Sequence, residues 1–209
     1  MRNVELLMPA GNLEKLKYAV KYGADAVYLG VVDFSLRAMR KGEIITLENL
    51  KSAIDLAHSL GAKAYLTLNI FAFNSDIKHL ESCMEILKDA NPDAVLVSDF
   101  GILRLLKKYM PDTEIHVSTQ TNILNYECVK FWQDMGATRV ILARELSLKQ
   151  IENIRKNCPD IELDFERMAD WFYRHEITRH AALVRLERHD VPVKRLRHGA
   201  DVDKEMSVL

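Results

Sequence analysis

Seven times between Glu5 and Glu166 the chain passes from a short apolar run into an amphipathic segment, and no eighth repetition follows. The runs are Glu5–Met8, Ala26–Gly30, Ala64–Asn69, Ala94–Ser98, Glu114–Ser118, Arg139–Ala143 and Glu162–Phe165. They are continuous rather than alternating, which is the pattern of strands buried on both faces of a parallel sheet. Between them lie helical segments such as Leu13–Tyr22, where Leu13, Leu16, Ala19 and Val20 share one stripe, Asn12 reads as the N-cap and Gly23 as the stop. Tyr22-Gly23-Ala24, Leu60-Gly61-Ala62 and Met135-Gly136-Ala137 repeat the same punctuation, a helix ending on glycine just before a strand. Strands alternating with helices across short loops require right-handed crossovers and an α/β fold. Seven such units favour a TIM-barrel-like parallel (β/α) barrel over an open doubly wound sheet. Met8-Pro9-Ala10-Gly11-Asn12 after the first strand is not GxGxxG, which weakens the dinucleotide-binding alternative. The expected architecture is an incomplete barrel of about seven strands over residues 1–166 plus a C-terminal helix. Strands 1 and 7 would then expose unpaired edges, open to homo- or hetero-dimerisation unless the tail covers them.

Composition changes where the repetition stops. Residues 1–166 carry 13 Lys against 7 Arg, whereas residues 167–209 carry 2 Lys against 7 Arg and four of the seven histidines. Such a shift is what a frameshift, a joined reading frame or a foreign segment produces. The tail reads as helical to about residue 189, with a stripe of Tyr173, Ile177, Ala181 and Val184, and as largely disordered after it, Pro192 ending any helix before Val193. Val191-Pro192-Val193 is too short and proline-broken for an interior eighth strand. His175 and His180 are five residues apart, about 140° around a helix, so they do not form the HExxH zinc grip. A net charge of -1 gives no global pull toward nucleic acid or anionic membrane. No apolar run is long enough to span a membrane, and the N-terminus lacks a signal-peptide core, so a cytoplasmic protein is expected. Cys83, Cys128 and Cys158 are odd in number and widely spaced, arguing against both a disulfide framework and a zinc site.

In a parallel barrel the chemistry gathers where the strands end at their C-termini. Here those ends are polar: Gly30 with Ser35 and Arg37 beyond it, Asn69, Ser98-Asp99, Ser118 with Gln120 and Asn122, and Arg144-Glu145. The candidate substrate-binding set is therefore Arg37, Asn69, Ser98, Asp99, Ser118, Gln120, Asn122, Arg144 and Glu145. Arg37 and Arg144 would hold anionic groups, and Asn69, Gln120 and Asn122 would read a flat polar substrate. Competing readings stand beside these. Ser98, Asp99 and Ser147 equally suit helix caps, Arg144 and Glu145 an exposed ion pair, and Arg37 a solvated loop. His116, inside the fifth strand, suits a hydrogen-bonded core histidine better than a general base. No Ser/His/Asp, Cys/His or metal constellation assembles from the sequence, so the catalytic residues are unknown.

Glu5-Leu6-Leu7-Met8-Pro9-Ala10-Gly11, Gly23-Ala24-Asp25-Ala26-Val27-Tyr28-Leu29-Gly30, Ser35-Leu36-Arg37, Ser98-Asp99, His116-Val117-Ser118-Thr119-Gln120 and Arg144-Glu145-Leu146-Ser147 together resemble the N-terminal region of the collagenase-like peptidase family U32. The branch that looks most similar is the one involved in tRNA uridine 5-hydroxylation. The resemblance covers about residues 4–165. It implies a barrel-like fold and either an RNA- or quinone-precursor-hydroxylation protein, with tRNA or another RNA as partner, or a collagenase-like peptidase. It also implies a [4Fe-4S] cluster held by cysteines in a segment after the seventh strand. Here Asp164-Phe165-Glu166 runs instead into Arg167-Met168-Ala169, so no cluster is expected in this chain, and a non-catalytic remnant or binding subunit is a further reading.

Overall fold

Parallel pairing runs without a break from the first strand to the seventh in the computed structural model, which describes residues 5–36, 45–166 and 183–186. The strands are β1 (Leu6–Pro9), β2 (Ala26–Gly30), β3 (Lys63–Leu68), β4 (Ala94–Val97), β5 (Glu114–Val117), β6 (Arg139–Leu142) and β7 (Glu162–Glu166). Each is joined to the next through a helix: α1 (Leu13–Lys21), α2 (Leu47–Ser59), α3 (Asn74–Ala90), α4 (Phe100–Tyr109), α5 (Tyr126–Asp134) and α6 (Leu148–Asn157). The seven parallel strands and intervening helices are those expected from the repeating pattern.

Local chemistry sets the helix ends. The Asn12 side chain accepts from Lys15 N at 2.8 Å, supplying one of the partners that the first turn of α1 lacks. Beyond Tyr22 the backbone turns left-handed at Gly23, φ +93°, a conformation a Cβ would disfavour. At α6, Ser147 and Gln150 form a reciprocal capping box: Ser147 N donates to Gln150 Oε1 at 2.8 Å and Gln150 N to Ser147 Oγ at 3.4 Å.

Strand alternation sorts the side chains into two cores. Outward-facing Val27, Leu29, Leu66, Leu68, Val95, Val97, Val117, Val140 and Leu142 pack under Leu16, Leu50, Ile54, Leu80, Leu87, Ile102 and Leu106 of the helices. Inward-facing Leu7, Ala26, Tyr28, Tyr65, Ala94, Leu96 and Ile141 fill the barrel. Each fully buried Leu or Ile contributes about 1.5–3 kcal/mol relative to exposure, so the outer layer supplies most of the apolar driving force.

Below the apolar plug, toward the strand N-termini, the interior is charged. Arg139 is the largest fully buried side chain, 2% exposed. Its Nη1 lies 2.8 Å from Glu5 Oε1 and 3.6 Å from Asp164 Oδ2, and its Nε and Nη2 each lie 2.9 Å from Glu162 Oε2. Tyr65 donates its hydroxyl to Glu5 Oε2 at 2.9 Å, and its ring lies 5.2 Å from the guanidinium carbon. Burial works against the Arg139 charge, but the surrounding carboxylates outweigh it and hold the group more firmly protonated than usual. His116 packs edge-on to Tyr65, with ring centroids 4.9 Å apart, and its Nε2 lies 3.3 Å from Glu114 Oε2. It is the core histidine that the sequence favoured.

The tail departs from expectation at one point. Leu183–Leu186, placed by the sequence reading in a helix reaching about residue 189, is a strand, β8, that runs antiparallel to both neighbours and closes the barrel. Leu6 and Leu7 face Val184 and Leu183 on one side, and Leu163, Asp164, Phe165 and Glu166 face Leu186, Arg185, Val184 and Leu183 on the other. Two rows of unpaired backbone N–H and C=O groups outweigh the weak apolar stripe that suggested a helix. The open edge on which a dimer through strand pairing was expected is therefore occupied by the chain's own β8. The other tail residues, with the expected helix from 167 and the expected disordered end, lie outside the described residues.

Candidate substrate-binding mouth

At the C-terminal end of the barrel, four successive strands bring hydroxyl and amide side chains to one opening. From the β2 side, Ser35 Oγ lies 2.8 Å from Thr67 Oγ1. Thr67 itself donates to Leu29 O at 3.1 Å, so Ser35 is the donor of the pair. Gly30 makes this contact feasible: a Cβ there would collide with both hydroxyls. Asn69, the residue after β3, is 6% exposed. Its Oδ1 accepts from Leu36 N at 3.2 Å and its Nδ2 donates to Ser118 Oγ at 3.4 Å. Ser118, just past β5 and 3% exposed, also accepts from Gln120 N at 3.4 Å. Ser98 sits between them at the end of β4, 5% exposed, and its Oγ has no hydrogen-bond partner among the described residues.

Of the residues expected at the site, Asn69, Ser98 and Ser118 come together as buried neighbours on adjacent strands. Asp99 caps a helix: its Oδ1 accepts from Gly101 N at 2.8 Å and Ile102 N at 3.0 Å, opening α4. Gln120 lies in the single 3₁₀ turn Thr119–Thr121, and Asn122 ends that turn in the left-handed conformation, φ 53°; both side chains are exposed. Arg144 and Glu145 are exposed in the turn after β6, ahead of the Ser147 cap. Arg37 lies outside the described residues.

Other residues of these strand ends lie outside the candidate set drawn from the sequence. Ser35 and Thr67 are buried and bonded to each other, while Phe71 and Phe73, in the loop directly after Asn69, are 59% and 79% exposed. A signal existed in the latter case, since Ile70-Phe71-Ala72-Phe73 is an apolar run in a connecting loop, where large apolar side chains meet water.

The three cysteines occupy separate elements, Cys83 buried on α3, Cys128 exposed on α5 and Cys158 buried at the end of α6. Burial pushes the Cys158 thiol up, away from thiolate character. This donor set does not fit a four-iron cluster, which requires several thiolates within reach of one another. Among the described residues no group of three or more His, Cys, Asp or Glu is arranged to hold a metal ion, and no helix is long and apolar enough to cross a membrane.

The fold is a (β/α) barrel whose C-terminal pole gathers hydroxyl and amide side chains. Comparison with known proteins makes the assignment narrower. The model of peptidase family U32 matches residues 11–171, and the chain belongs to that family. It is 48% identical over 164 residues to tRNA hydroxylation protein P of Helicobacter pylori (strain J99), an alignment covering 78% of this chain and 39% of that protein. For tRNA hydroxylation protein P of Escherichia coli (strain K12) the figures are 46% over 160 residues, 77% and 35%. A collagenase of Porphyromonas gingivalis is 33% identical over 156 residues, covering 75% and 37%. The chain thus spans between a third and two fifths of the length of these relatives. In fold, the solved structure of the U32 peptidase Mk0906 superposes with a TM-score of 0.63 at 17% identity, over 75% of this chain and 66% of that one.

Proposed function

We propose that this chain is the substrate-holding barrel of a tRNA-hydroxylation-type member of family U32, and that its partner is tRNA. The observation that carries the reading is the identity of 46–48% to tRNA hydroxylation protein P across the barrel, against 33% to the collagenase. The opening agrees with it chemically. Asn69, Ser98 and Ser118 are uncharged groups suited to the polar edge of a base, and Phe71 and Phe73, exposed in the loop that follows Asn69, offer rings on which bases can stack. A peptidase reading is less well supported, because His116, two residues before Ser118, is turned toward Tyr65 and Glu114 at the opposite pole. The iron–sulfur chemistry of the family would need ligands other than this chain's three scattered cysteines, so the chain by itself acts as a binding module. Its residues hold and orient a nucleotide and carry out no redox step.

The test is tRNA binding by fluorescence anisotropy, comparing the wild-type chain with a Phe71→Ala/Phe73→Ala double variant. Binding by the wild type that weakens at least fivefold in the variant is expected, because each lost stacking contact is worth about 1–3 kcal/mol. Cleavage of casein or collagen without any tRNA affinity would instead establish the peptidase.

A further inference from the structure

The side of α4 that looks toward α5 is both aromatic and cationic. Phe100, Arg104 and Lys107 stand at i, i+4 and i+7, on one stripe of the helix, and all three are exposed. The Phe100 ring lies within 12° of parallel to Trp132 of α5, with centroids 4.6 Å apart, and Phe131 meets it edge-on at 5.7 Å. Lys107 reaches the other end of α5, its Nζ standing 3.2 Å from where a Cβ on Gly136 would lie. The stripe therefore lines a groove between the two helices, which are the least closely packed of the successive pairs from α1 to α6.

Packing does not account for what lines this groove. Trp132 is 4% exposed and covers one face of Phe100, yet Phe100 and Phe131 remain 52% and 51% exposed, so a stack of two rings ends in water. The cations are set apart as well. Neighbouring lysines are answered by carboxylates, Lys108 by Glu81 and Lys130 by Glu127, each at 3.0 Å. Arg104 and Lys107 have no ion-pair partner among the described residues. No carboxylate stands on α4, and those of α5, Glu127 and Asp134, fall about 140° and 160° around the helix from Trp132. Asp99, at the head of the groove, is engaged in capping α4.

We infer that the groove between α4 and α5 is a second RNA-binding site, outside the barrel opening, in which a base extends the Trp132–Phe100 stack and Arg104 and Lys107 hold the adjoining phosphates. An open ring face followed by two unanswered cations matches a nucleotide strand, where flat bases and anions alternate. An apolar partner would bury both charges without compensation. The groove begins at Phe100, directly after the rim residue Asp99, so a strand leaving the opening can continue along α4. The inference rests on the tRNA reading above and adds to it a surface that reading does not use.

The experiment uses the full 209-residue chain, with tRNA and single-stranded oligoadenylate RNA as probes, fluorescence anisotropy at several salt concentrations and Tm measured alongside. Arg104→Gln/Lys107→Gln changes two exposed side chains, so Tm should hold. Binding at low salt should weaken about tenfold, and the slope of log K against log salt for oligoadenylate should become shallower by about 1.4, or 0.7 for each phosphate released. Phe100→Leu keeps apolar bulk over Trp132 without a ring and should weaken binding at least fivefold, whereas Phe100→Tyr should retain it. An Arg104→Gln/Lys107→Gln chain that binds tRNA with unchanged affinity and salt slope would overturn the inference while leaving the tRNA reading intact. Self-association of the wild type that Phe100→Leu abolishes, with RNA binding unaffected, would overturn it too and make the groove an interface between copies. A wild type that binds neither probe would remove the tRNA reading and the inference together.

Discussion

Lowering the pH from 7 to 5 should destabilise the barrel by about 2 kcal/mol through a single side chain, His116. The ring is 1% exposed, and burial is the main cause that lowers its pKa to about 4; the hydrogen bond it donates to Glu114 acts in the opposite direction and is too weak to compensate. An unfolded histidine titrates near 6.5. Between these values the unfolded chain binds more protons than the folded one, so stability falls as pH drops through 6.5. The penalty reaches about 2 kcal/mol at pH 5 and levels off at about 3 kcal/mol below pH 4, where the ring is protonated in both states. The other charges facing the ring are Arg139, which disfavours the imidazolium, and Glu114 and Glu162, which favour it. Glu114, whose pKa is lowered chiefly by the His116 hydrogen bond, contributes stability that is lost only at more acid pH, below its ordinary range, and so leaves this window clear. The assay is urea unfolding at half-unit pH steps from 7.5 to 4.5 for wild type and His116→Gln, which cannot titrate. The two curves should diverge below pH 6.5, with the wild type losing about 2 kcal/mol more by pH 5. Parallel curves, or a His116 ring resonance titrating near 6.5 by NMR, would refute the reasoning.

Removing the buried guanidinium with Arg139→Ala should cost about 3–5 kcal/mol, because Glu5, Glu162 and Asp164 keep their burial and lose their shared cation; chemical denaturation measures it. Gly30→Ala forces the Ser35–Thr67 pair apart and should lower stability by about 1–3 kcal/mol, read as a drop in Tm and as disordering of the Ser35 backbone amide by NMR. Truncation after Glu166 removes β8 and exposes the edges of β1 and β7; self-association by light scattering is the expected result, and a monodisperse monomer would count against β8 as the closing strand.

The rhythm of strands and helices was legible because each apolar run faces both a helix layer and the barrel interior, leaving a continuous hydrophobic signature. The caps at Asn12 and Ser147 were legible for a related reason, since their chemistry acts over three residues of sequence. Ser98 and Ser118 could be found because strand ends in a barrel converge, but which of Ser98 and Asp99 would cap α4 depended on backbone geometry that composition does not carry. The interior charges were not legible. Glu5, Arg139 and Glu162 each stand at the start of a strand, where a charged residue reads as a solvated flank, and only closure brings them together. β8 was missed because Leu183-Val184-Arg185-Leu186 has no alternation of its own to announce a strand; its conformation comes from the two edges it meets.

The contact between Arg139 and Glu5 has a consequence for how the molecule is made. The two residues are separated by 134 positions, so the carboxylate at the start of the chain emerges about ten seconds before its counterpart at ordinary synthesis rates. Through that interval the early strands can pair side by side, each new helix docking behind them, but the sheet cannot curl shut around a bare carboxylate at the price of its hydration. The guanidinium thus has to be in place before the sheet can shut, and the shutting itself waits for β8, made later still, so all seven parallel strands are assembled as an open sheet before the barrel closes.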